Sequence, residues 1–125
     1  MCLRTVTKTY HKPQKKEFWA WKQFKRSVHA STILLFPFRQ LRRTFRVPQG
    51  RWLKAEGKRP LTIYTRRGYE RRYTPGFHVF ATKPKVNIYG PVTVRVKVRG
   101  LVATGTQARK KCFVVRAMFV PKGVQ

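Results

Sequence analysis

The chain has 125 residues, of which 30 are Lys or Arg and 3 are acidic, giving a formal net charge of +27. The acids are Glu17, Glu56 and Glu70, and Asp is absent, so hydrolysis by a carboxylate pair and two-metal chemistry on carboxylates are not expected, and an EF-hand calcium site is excluded. A hydrophobic fraction of 42% and an aromatic fraction of 14% are too high for a disordered basic tail, so the chain is expected to fold as a single basic domain over 1–125.

The N-terminal stretch Met1-Cys2-Leu3-Arg4-Thr5-Val6 lacks the apolar core and cleavage site of a signal peptide. With Lys12-Pro13-Gln14-Lys15-Lys16 it reads as a flexible basic arm over 1–16. Phe18 to Phe24 alternates as a strand does, although a helical turn fits the same residues. Trp19 and Trp21, together with Trp52, are expected in the core, where large rings dominate burial. Ser31 to Phe38 and Leu41 to Val47 read as two strands. The apolar run Ile33 to Phe38 contains Pro37 and is far too short to span a membrane. Trp52 to Glu56 and Lys83 to Tyr89 are the short helix candidates. Leu61 to Tyr64 and Gly76 to Phe80 read as strands, and the polar segment from Tyr64 to Tyr73 reads as an exposed contact loop.

The clearest element is Val92 to Arg99. Val92, Val94, Val96 and Val98 share one face, while Thr93, Arg95, Lys97 and Arg99 share the other, which is the period-2 pattern of a half-buried strand of β-branched residues. Cys112 to Val120 is apolar on both faces except for Arg116, as suits a central strand. A connection over Gly105 to Lys111, with a basic tip at Arg109-Lys110-Lys111, would join the two as an antiparallel hairpin. The expected fold is mainly β or α+β: a single small domain with an antiparallel sheet and few short helices.

Cys2 and Cys112 cannot build a disulfide framework, and His11, His29 and His78 lack metal-ligand spacing, so neither a metal site nor a cofactor is expected. A nucleophilic Cys112 with His78 is the one enzymatic arrangement available, and nothing in the sequence orients the pair. Neither a phosphate-binding glycine loop nor an RNA-binding signature of the octamer or Gly-x-x-Gly type occurs. A non-enzymatic role is expected.

The charge carries the functional reading. Self-repulsion among so many cations opposes a compact state unless a polyanion supplies counter-charge, and nucleic acid is the commonest such partner. The basic residues are spread along the chain instead of concentrated on one recognition element, as suits a module tracked by phosphates on several sides. Ordinary solvated surfaces mix both signs. The candidate phosphate-binding residues are Arg39, Arg42, Arg43 and Arg46; Arg66, Arg67, Arg71 and Arg72; Arg95, Lys97 and Arg99; and Lys110 and Lys111. Tyr69 and Tyr73 are candidate stacking platforms. RNA is preferred to DNA, no membrane partner is expected, and the expected location is intracellular, with the mitochondrion as a further compartment.

At Met1-Cys2-Leu3, Ala20-Trp21-Lys22, Tyr73 to Phe80 (Tyr-Thr-Pro-Gly-Phe-His-Val-Phe), Val94 to Gln107 and Val114 to Met118, the chain resembles a group of small phage and prokaryotic proteins without an established activity. The resemblance covers about half the chain. It departs at Ala81-Thr82-Lys83-Pro84-Lys85, where the group carries acidic residues. A phage origin implies three competing uses: nucleic-acid binding within a ribonucleoprotein, counter-defence inhibition of a host immune complex, or a minor virion protein touching packaged genome. A ribosomal protein is the fourth.

Overall fold

The computed structural model describes residues 3–26, 33–35, 45–47, 49–55, 57–64, 68–88 and 92–123. The described residues contain no helix and form the strands β1 Thr5–Gln14, β2 Phe18–Arg26, β3 Ile33–Leu35, β4 Phe45–Arg46, β5 Trp52–Lys54, β6 Leu61–Tyr64, β7 Glu70–Tyr73, β8 Phe77–Phe80, β9 Val92–Gln107 and β10 Lys110–Phe119. Every pairing among them is antiparallel. The protein is a small β-rich domain, and the two helix candidates are corrected. Trp52–Lys54 is a strand against β10. Residues 83–88 are irregular, since Pro84 disfavours helical backbone at Lys83 and the Gln23 side chain takes over the loop's backbone groups. Its Nε2 donates to the Val86 carbonyl at 2.7 Å, and the Ile88 N–H donates to its Oε1 at 2.9 Å.

β9 organises the molecule. One of its edges carries β2 along Val92 to Val98 and then β1 along Leu101 to Thr106, and the other edge carries β10. The far edge of β10 takes β8 and then β5. β8 and β2 meet at Phe80 and Trp21, so β2, β9, β10 and β8 form a closed ring. The alternating valines of β9 drive this closure. Val92, Val94, Val96 and Val98 are all buried, packed with Ala20, Phe24, Phe77, Val79, Val115 and Met118 in one core. Each such side chain contributes about 1.5–3 kcal/mol on leaving water.

Opposite Val114 and Val115 the β9–β10 register slips by one residue, a bulge that absorbs Val102. Both Val102 and Ala103 are consequently buried. Beyond the bulge β9 faces a second core of Leu3, Tyr73, Val102, Ala103, Cys112 and Val114. Gly100, with φ 76°, adopts the left-handed backbone that this bend requires, against Arg116.

Two expectations change here. The stretch read as a flexible arm is β1 for most of its length, paired to β9 from Thr5 to Gln14, and Leu3 anchors it in the second core. The stretch read as a contact loop is a β6–β7 hairpin whose Leu61, Ile63 and Tyr73 cover that same core. The β9–β10 connection is also tighter than expected. Strand pairing runs to Gln107 and Lys110, leaving a two-residue turn in which Ala108 and Arg109 both have positive φ, 51° and 62°. This is the backbone of a type I′ hairpin turn.

Candidate nucleic-acid interface

Residues directly opposite one another in antiparallel strands share a face. Trp19 pairs with Lys97, Lys97 with Phe119, and Phe119 with Trp52. One row therefore crosses β2, β9, β10 and β5. Arg95, opposite Trp21, and Arg99, opposite Ala117, flank Lys97 along the same face. This is the outward side of the ring. Ala20 and Phe24 point into the core, so the alternate residues Trp19 and Trp21 must point out. Trp19 is 44% exposed, and Trp21, Trp52 and Phe119 are half-buried.

The cations of this face lie on its rings. The Arg95 guanidinium is 5.0 Å and the Lys97 ammonium 5.9 Å from the centre of the Trp19 ring. Arg99 sits 4.1 Å above Trp52, which in turn packs on Phe119 at 5.7 Å, and Lys83 lies 5.4 Å from the Trp21 ring. At exposed sites each cation–π contact contributes about 0.5–1 kcal/mol. That offsets part of the rotamer freedom these long side chains lose by seating their head groups on the rings.

Glu17 shows what such a head group binds. Its carboxylate lies 3.3 Å from the Lys97 Nζ and 3.5 Å from the Arg99 Nη1. Partly exposed pairs of this kind contribute at most about 1 kcal/mol. The anion nevertheless sits where a phosphate oxygen would meet the same two donors. A groove of about 460 Å³ opens beside it, lined by Lys15, Glu17, Lys54, Arg99 and Arg116 among others. Arg116 is committed elsewhere: its guanidinium donates to the carbonyls of Gly57 and Pro75 at 2.6 Å and of Ala55 at 2.9 Å, tying two connections to β10.

The structure brings together Arg95, Lys97 and Arg99 from the expected set. The other described members belong to other elements or to the far end of β10. Arg71 and Arg72 are exposed on the β6–β7 hairpin, where Arg72 pairs with Glu70. Lys110 and Lys111 stand at the β9–β10 tip, with the Lys111 Nζ 5.5 Å from the Phe113 ring. Arg46 lies on β4, while Arg39, Arg42, Arg43, Arg66 and Arg67 fall outside the described residues. Tyr69 is 68% exposed, whereas Tyr73 is buried at 3% and is corrected as a stacking platform. The Tyr73 hydroxyl accepts the Leu3 N–H at 2.8 Å and lies 3.5 Å from the His78 Nε2, so its ring seals the second core. Conversely, the tryptophans expected inside include Trp19 on the surface. Outward tryptophans were detectable from their phase opposite Ala20 and Phe24.

Lys22 turns away from this face. It shares the phase of Ala20 and Phe24, is 7% exposed, and donates from Nζ to the His78 carbonyl at 2.9 Å. Burial lowers its pKa to about 8. Burial, reinforced by the Lys22 charge, lowers that of His78 to about 3, and burial raises that of Cys112 to about 12. Cys112 is thus a protonated thiol whose Sγ lies 3.7 Å from the Gln107 Oε1, a setting opposite to that of an activated nucleophile.

Among the described residues no cluster of His, Cys or Glu could hold a metal ion, and no helix is long and apolar enough to cross a membrane. No protein-family model, curated protein or solved structure matches the chain.

Proposed function

We propose that the protein is a non-enzymatic nucleic-acid-binding module, held by Lys- and Arg-phosphate contacts and centred on the β2–β9–β10–β5 face. The observation that carries this reading is the seating of Arg95, Lys97 and Arg99 on the rings of Trp19 and Trp52, with the Glu17 carboxylate held between two of those cations. Cations braced in advance lose little freedom on meeting a phosphate, and each contact releases condensed counterions. RNA is the preferred partner. Arg71 and Arg72 stand on another element and Lys110 and Lys111 at the far end of β10, as suits a module enclosed by folded strands within a ribonucleoprotein.

Binding of a fluorescent RNA, followed across about 50–200 mM salt, tests the proposal. Log affinity is expected to fall steeply and linearly with log salt, at a slope of about 0.7 for each phosphate engaged on single strands. Replacing Arg95, Lys97 and Arg99 together with Ala is expected to flatten that slope by about 2, corresponding to three lost contacts. A salt-independent affinity, or an unchanged slope in the triple variant, would overturn it.

A further inference from the structure

Phosphate contacts alone do not call for an aromatic row, and the row is what distinguishes this face from the other basic surfaces. Trp19 and Trp52 stand at its two ends with Phe119 and Lys97 between them. Three inter-strand steps separate the tryptophans, about 14 Å at the usual strand spacing of about 4.8 Å. Trp19 keeps 44% of its surface exposed on the outward face. Cationic groups lie over both rings, Arg99 the closer at 4.1 Å from the Trp52 centre. A guanidinium stacked on a ring offers its own outer plane as a second platform of the same kind.

We infer that this row takes the unpaired bases of single-stranded nucleic acid, stacking them on Trp19, on Trp52 and on the guanidiniums seated there, while Lys97 and Arg99 hold the intervening phosphate. The inference rests on the nucleic-acid reading above and adds the class of strand. In a duplex the base faces are already occupied by their neighbours, so a duplex meets the cations of this face and not its rings. In a single strand every base has a free π-face, and stacking discriminates little between sequences. Glu17 occupies the phosphate position between the two platforms in the free protein and is displaced when the strand arrives.

The test compares four probes of equal length on the full chain at one salt concentration: oligo(U), oligo(dT), an abasic strand with the same number of phosphates, and a blunt duplex. The unsubstituted protein is expected to bind at least one base-bearing single strand tighter than the abasic strand by about fivefold or more for each base stacked, and tighter than the duplex. Trp19→Ala and Trp52→Ala, which also release the cations seated on those rings, are each expected to weaken the base-bearing strand by a larger factor than the abasic strand, bringing the two affinities together. Equal, salt-dependent binding of all four probes would overturn the stacking inference and leave the phosphate-binding proposal standing. Binding of none of them would overturn both. The abasic comparison uses the unsubstituted protein, so it holds even where a tryptophan variant fails to fold.

Discussion

Lys22 places a cation inside the ring, and replacing it with Met should make the protein more stable. The ordinary Lys value of 10.5 falls to about 8 in the folded chain, so at neutral pH the charge is retained at a cost of about 3 kcal/mol. Against this stands the bond from Nζ to the His78 carbonyl, worth about 1 kcal/mol net. Met has nearly the length of Lys and no charge, so Lys22→Met is expected to gain about 2 kcal/mol at pH 7. The pH dependence supplies a second reading of the same quantity. A lysine whose folded value is depressed destabilises fully below about 8, and the penalty disappears as pH rises from about 8 toward 10.5, because there the unfolded chain binds the extra proton. The stability advantage of Lys22→Met should therefore shrink by about 3 kcal/mol over that window and end slightly negative. Cys112 also titrates anomalously at high pH, but it is common to both proteins and largely cancels in the difference. Urea denaturation of both proteins at pH 7, 8, 9 and 10 measures this directly. A difference between them that does not vary with pH, or a less stable variant at pH 7, would refute the account of a buried charge.

If the proposed nucleic-acid binding holds, Glu17→Gln removes a carboxylate that would compete with phosphate for Lys97 and Arg99, and affinity for RNA should rise about two- to fivefold at low salt, with stability changed by less than about 1 kcal/mol, both read from binding and melting curves. In the β9–β10 turn, replacing Ala108 by Asn and Arg109 by Gly suits the two positive φ angles, and should stabilise the protein by about 1 kcal/mol in the same denaturation assay. Arg116→Met leaves three backbone carbonyls without their shared donor and should cost about 2–4 kcal/mol. Proteolysis should then cut first near residues 55–57, the connection that Arg116 ties down.

Much of the fold was legible as alternation. Val92 to Val98 announced a strand with a buried and a basic face, and Arg95, Lys97 and Arg99 do share the outer one. Leu61–Tyr64 and the apolar run of β10 also read as strands, on weaker signals, and are strands. β1 did not read as one. Its ten residues are mostly exposed and polar, and what holds them is the unpaired edge of β9 together with the anchor at Leu3, neither of which is local. Tyr73 misled for a similar reason. Among arginines it reads as a surface ring, yet the β6–β7 hairpin turns it onto the second core, where Leu3 and His78 meet its hydroxyl.

The candidate interface divides along the same line. Composition and period belong to single strands, so the chain alone determined an excess of cations, a strand-rich fold that could still be mainly β or α+β, and which three basic residues of β9 lie together. Register between strands far apart in the chain is a tertiary quantity. It decided that Trp19 and Trp52, 33 positions apart in the sequence, flank those cations, that Glu17 falls between Lys97 and Arg99, and that Lys22 turns inward. The physical reason is that closing β2, β9, β10 and β8 into a ring assigns each side chain to the inside or the outside by its phase, whatever its polarity.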